Sequence, residues 1–195
     1  MKQTIFLLSL LLVFACRSNG DTQDSSEETT LEIETNSELN ILVPDEEDGG
    51  EMLLGKINRK GLETELFREW FDENYKAHVL DTVTVDSLIE LQNDLTIKVF
   101  MGTWCEDSQR EVPALFKILD AMQFEEKNLE MIAVSHDKDT PQGYENDLKI
   151  EYVPTIILSK PGIETNRIVE YPQQTLEKDL LQILKGKPYK HAYQD

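Results

Sequence analysis

The chain of 195 residues has two thiols, Cys16 and Cys105. Cys105 stands in Val99-Phe100-Met101-Gly102-Thr103-Trp104-Cys105-Glu106-Asp107-Ser108, where an apolar run ends, turns at Gly102 and gives way to a helical pattern. The first N–H groups of a helix lack intrahelical partners and form the positive end of its dipole. A thiol delivered there is favoured as thiolate, the nucleophilic form of cysteine. Glu106 and Asp107 also suit a helix start, but as like charges they oppose the thiolate, and Arg110 partly offsets them. Ser108, one turn on, has two readings: a donor to the thiolate, or a helix-start residue satisfying backbone N–H groups. Trp104 reads as a flat lid beside the sulfur that contacts substrate, and equally as packing. The rival for Cys105 is a buried structural cysteine, and its place just after a glycine turn speaks against that.

Other chemistry is sparse. Two cysteines exclude a disulfide-rich scaffold, a cysteine zinc site and an iron–sulfur cluster. No phosphate loop, convincing metal cluster or Ser-His-Asp arrangement is present, and no cofactor is expected. Ser135-His136-Asp137-Lys138-Asp139 follows an apolar strand. His136 could serve as a base near the sulfur, and Asp137 with Asp139 could bind a cation, against the plainer reading of a solvated loop. His78 and His191 have no evident partners.

The positioning elements follow from periodicity. Leu62, Leu66, Phe67, Trp70 and Phe71 predict an amphipathic helix over 61–77, and a short helix follows over 85–92. Thr96 to Met101 reads as a strand. Val112, Leu115, Phe116, Leu119 and Met122 give a second strong helix, and Leu129 to Val134 a buried strand. Gln142 to Leu148 reads as a short helix, and Thr155 to Leu158 as a strand that turns at Lys160-Pro161-Gly162. Arg167 to Val169 is its hairpin partner, and Leu176, Leu180, Ile183 and Leu184 form the last helix, closed by Gly186 and Pro188. This alternation implies an α/β fold with a mixed central sheet and helices on both faces.

Trp104-Cys105-x-x-Ser108 resembles the active site of the thioredoxin family, with Ser108 where the family carries its second cysteine. Pro113, eight residues after Cys105, matches the family's helix proline. Val153-Pro154-Thr155, entering an apolar strand, resembles its cis-proline loop. The resemblance covers residues 94–185, and its wording is most similar to thioredoxin-like lipoproteins of Gram-negative envelopes. It implies a thioredoxin-like domain with an N-terminal helical extension over 56–195. It also implies a nucleophile at Cys105 supported by Ser108, and a substrate ledge of Trp104, Val153 and Pro154. Val99 stands where the family has a buried acid that assists proton transfer.

The N-terminus reads as an address. Lys2 precedes the apolar stretch Ile5 to Phe14, too short to span a bilayer and right for a secretory signal. Val13-Phe14-Ala15-Cys16 resembles a bacterial lipobox, implying cleavage of residues 1–15 and lipid attachment at Cys16, whose acyl chains would anchor the protein. Arg17, where an Asp would favour inner-membrane retention, points to the outer membrane. Residues 16–55 hold twelve acids and no Lys or Arg after Arg17, and are expected to be a disordered tether. They carry most of the net charge of −19, which argues against nucleic acid as a partner. With Cys16 acylated, Cys105 is the one remaining thiol, and a two-cysteine shuttle is excluded. The expected function is monothiol thiol-disulfide exchange on exported proteins or small thiols in the bacterial envelope. The alternative is a tethered, non-catalytic binding module.

Overall fold

The computed structural model describes residues 39–194, so the expected leader, Cys16 and the expected tether up to residue 38 lie outside the described residues. A six-stranded mixed sheet is built from β1 (Ile41–Pro44), β2 (Glu51–Ile57), β3 (Thr96–Met101), β4 (Leu129–Ala133), β5 (Thr155–Lys160) and β6 (Ile163–Val169). The spatial order is β1-β2-β4-β3-β5-β6. The apolar run of β3 occupies the centre, parallel to β4 and antiparallel to β5. That placement is what a strand buried on both faces requires: Ile97, Val99 and Met101 face one side and Phe100 the other, all at most 2% exposed. Among the described residues the α-helices are α1 (Arg59–Leu62), α2 (Arg68–Ala77), α3 (Thr82–Ile89), α4 (Glu106–Met122) and α5 (Leu176–Leu184). The mixed sheet with the β3–α4 unit at its centre and an antiparallel β5–β6 pair is a thioredoxin-like α/β arrangement.

The larger core joins the Ile97, Val99 and Met101 face to α2, α3, α4 and α5 through Phe71, Leu88, Leu115, Ile118 and Leu180. The smaller core lies under Phe100 and Ile132, with Val134, Val153 and Ile157. It is covered by Trp104, Tyr144, Leu148 and Ile150. The helix expected at Gln142–Leu148 is a series of turns. Gly143, Asp147 and Lys149 adopt left-handed backbone angles that no continuing helix accepts.

Two other expectations are corrected. The helix over 61–77 is broken between Leu62 and Arg68. There Thr64 Oγ1 donates to Gly61 O at 2.8 Å and Arg68 Nε to Glu63 O at 2.9 Å, taking carbonyls that a continuous helix would use. The expectation of a disordered tether over 16–55 does not hold for its last part, because residues 41–57 form a β-hairpin that joins the sheet at β4. Its turn is closed by Asp45, whose Oδ1 accepts from Glu47 N and Asp48 N at 3.1 Å each, and by Gly49 and Gly50 at positive φ. Leu53 and Ile57 supply the buried face that offsets the cost of ordering it. No helix among the described residues is long and apolar enough to cross a membrane.

Candidate functional site

β3 ends at Met101, and Gly102 to Trp104 carry the chain to Cys105, the N-cap of α4. Cys105 N donates to Gly102 O at 3.1 Å, and Cys105 O accepts from Gln109 N at 2.9 Å. These bonds fix the tight turn and start the helix. The sulfur is half-buried, and its S–H donates to Val153 O at 3.2 Å. The unit therefore presents its thiol at the first turn of a 17-residue helix, against one backbone carbonyl. Pro113 lies inside the same helix, and Val99 is fully buried in β3.

Val153 meets the sulfur through its backbone carbonyl, and Pro154 follows it in the loop. Their peptide bond is cis, and both side chains are buried. Pro154 O accepts from Glu170 N at 2.7 Å, which ties the loop to the end of β6. Of the expected ledge, Trp104 alone is part-exposed; Tyr152, next to Val153 and not expected there, is part-exposed as well. Tyr152 stacks on Tyr193 with ring centroids 3.8 Å apart. That pair lines a cleft of about 290 Å³ with Arg167 and His191, and neither Cys105 nor Trp104 borders it.

Trp104 is held on several sides. Its Nε1 donates to Val134 O at 3.1 Å. Its ring stacks on His136 at 4.1 Å and 19°, and Lys138 Nζ lies 5.6 Å from its centre. Gly102 makes room for it: a Cβ at that position would lie 2.4 Å from Trp104 Cε2. Ser108 faces inward, fully buried, and its Oγ accepts from Gly102 N at 3.2 Å. Its hydroxyl thus satisfies the backbone of the turn that carries Cys105, the second of the two roles open to it. Thr103 Oγ1 accepts from Leu53 N at 3.2 Å, stitching the site loop to β2.

The flanking charges pair among themselves. Arg110 reaches Asp107 at 2.5 Å and Glu111 at 2.8 Å. Burial pushes the Glu111 carboxyl above its ordinary range, against the pull of Arg110. Asp137 and Asp139 do not converge on a cation position: Asp137 N and the Asp139 carboxylate both bond Ser135 Oγ, closing their own loop. His136 is stacked on Trp104, with its Nε2 3.0 Å from Asp45 Oδ1. Asp45, Asp48 and His136 each bring one ligand atom within 4.8 Å of the others. Asp45 is already engaged by two turn N–H groups and the imidazole. Its pairing with His136 was not legible in the sequence, where Asp45 reads as one more acid of the tether. The signal was the Asp-x-x-Asp-Gly-Gly turn between two short apolar runs.

No family model matches the chain, and no curated protein matches it. Solved structures do. A protein of unknown function from Pseudomonas aeruginosa is similar at 17% identity over 63% of this chain and 86% of that one, with a TM-score of 0.49. An HIV epitope-scaffold is similar at 17% identity over 63% of this chain and 99% of that one, with a TM-score of 0.37. The oxidized form of mitochondrial thioredoxin 3 from Saccharomyces cerevisiae is similar at 22% identity over 49% of this chain and 86% of that one, with a TM-score of 0.30.

Proposed function

We propose that this is an envelope lipoprotein, anchored through Cys16, whose thioredoxin-like domain performs monothiol thiol-disulfide exchange on exported proteins. The observation that carries the reading is the half-exposed Cys105 thiol at the N-cap of α4, lying against Val153 O and beside the Trp104 ring. The Cys105 thiolate attacks one sulfur of a substrate disulfide. The substrate S–S bond breaks, a Cys105–substrate S–S bond forms, and the departing thiolate takes a proton from water. A second thiol, from the substrate itself or from a small thiol, then attacks the mixed disulfide and releases Cys105. In the first case the substrate disulfide is rearranged; in the second the substrate leaves as a mixed disulfide with the small thiol, and a second small thiol attacks that bond, freeing the substrate dithiol and forming the small-thiol disulfide. Ser108 supports the reaction by holding the turn at Gly102 rather than by contacting the sulfur.

The test is capture in cells. Trapping at low pH should recover Cys105-dependent mixed disulfides with exported proteins, and Cys105→Ser should remove them. Continued capture of the same proteins by Cys105→Ser, with any associated phenotype rescued, would overturn exchange in favour of a non-catalytic binding module.

A further inference from the structure

His136 and Asp45 are far apart in sequence but come from the same side of the sheet, one from the loop after β4 and the other from the β1–β2 turn, with β2 paired to β4. They meet at 3.0 Å with the imidazole lying flat on Trp104 at 4.1 Å. Both are buried more deeply than their charges would choose, with side chains 16% and 4% exposed. Exchange at Cys105 does not require this pair, and the strand pairing does not require it either. We infer that His136, held by Asp45, is a positioning residue for Trp104, so that the platform beside Cys105 is gripped more firmly when the imidazole is protonated.

The geometry gives the sign. A cation over the face of an indole is attracted by the ring quadrupole. Three carboxylates from the hairpin turn lie against the His136 imidazole: Asp45 at 3.0 Å, Glu47 at 3.5 Å and Asp48 at 4.0 Å. The opposing charge is Lys138, whose Nζ bonds His136 O at 2.5 Å and lies 5.6 Å from the centre of Trp104. Bonding from Asp48 N and from His136 holds the Asp45 carboxyl below its ordinary range, so it keeps its charge as a partner for the imidazole. Acidification therefore adds an attraction on the Trp104 face without removing its partner. The consequence for exchange rests on the reading of Cys105 as the nucleophile, whereas the grip on Trp104 does not.

The experiment uses the full chain with Cys16→Ser, which leaves Cys105 as the single thiol, and Trp70→Phe, which leaves Trp104 as the single indole. Trp104 emission and the labelling rate of Cys105 by an aromatic disulfide reagent are followed from about pH 8 to about pH 5, across the imidazole range. Emission should fall in one step on acidification, because a protonated imidazole quenches a stacked indole. His136→Phe keeps a stacked ring and should abolish the step, and Asp45→Asn should displace it. Labelling should be about threefold faster than in His136→Phe at the acidic end and equal to it at the alkaline end. A step that survives His136→Phe, no step in the parent, or a rate ratio that does not change with pH would overturn the inference. Failure of Cys105 to label at any pH would instead overturn the exchange reading, and the emission step would still decide the grip on Trp104.

Discussion

At the scale of single residues, the site depends on who occupies the space around one turn. Gly102 is required for its lack of a Cβ, since Trp104 fills the place where one would stand. Gly102→Ala should cost about 1–3 kcal/mol in urea denaturation through overpacking, with a shift in Trp104 emission as the ring is displaced. Ser108 is required for its oxygen. Ser108→Ala leaves the buried Gly102 N–H without its acceptor and should also cost about 1–3 kcal/mol. Its effect on Cys105 labelling should be smaller than its effect on stability. A large loss of labelling at unchanged stability would mean that the hydroxyl serves the sulfur directly. These two residues show what a motif conveys. Trp104-Cys105-x-x-Ser108 singles out one turn, but the direction of the Ser108 hydroxyl depends on packing against Gly102, which spacing does not encode.

At the scale of elements, periodicity reads well where one face is buried and fails where tertiary contacts decide. β3, β4, β5 and α5 lie where their apolar runs put them, and α4 carries its apolar face into the larger core. The hairpin of residues 41–57 was hidden by its acids, since composition over 16–55 is dominated by charge. What folds the hairpin is Leu53 and Ile57 meeting the sheet, together with two glycines and an Asp-capped turn. Gln142–Leu148 failed for the opposite reason. Its spacing is helical over too few residues to nucleate, and Gly143 and Asp147 take left-handed angles. Helix α4 carries a further consequence. Burial raises the Glu111 carboxyl, so the folded chain holds that proton more tightly than the unfolded chain does. Its contribution to stability is therefore present below the ordinary carboxylate range and lost as pH rises through its raised value. Glu111→Gln should flatten that slope and raise the urea midpoint at neutral pH. An unchanged or lower midpoint would mean that the Arg110 pair outweighs the burial cost.

At the scale of the whole molecule, the proposal joins a thioredoxin-like domain to a lipid through an acidic stretch. About half of the net charge of −19 falls before Lys56, on little more than a quarter of the chain. That stretch should hold the domain away from an anionic surface by repulsion, leaving attachment to the acyl chains. Cys16→Ser should therefore move the protein from the membrane fraction to the soluble fraction without changing the urea midpoint of the domain. Retention of the Cys16→Ser protein on membranes would contradict the anchor.

The account stands or falls on Cys105. The direct measurement is the reaction of the folded full chain, carrying Cys16→Ser, with a small disulfide, followed by intact mass and compared with the same chain in denaturant. The account predicts one adduct on the folded chain at a rate at least comparable to that of the unfolded chain, stable until an outside thiol is added and then fully released. An adduct that forms only after unfolding, with Cys105 unreactive in the folded chain, would contradict it and leave the fold as a binding module.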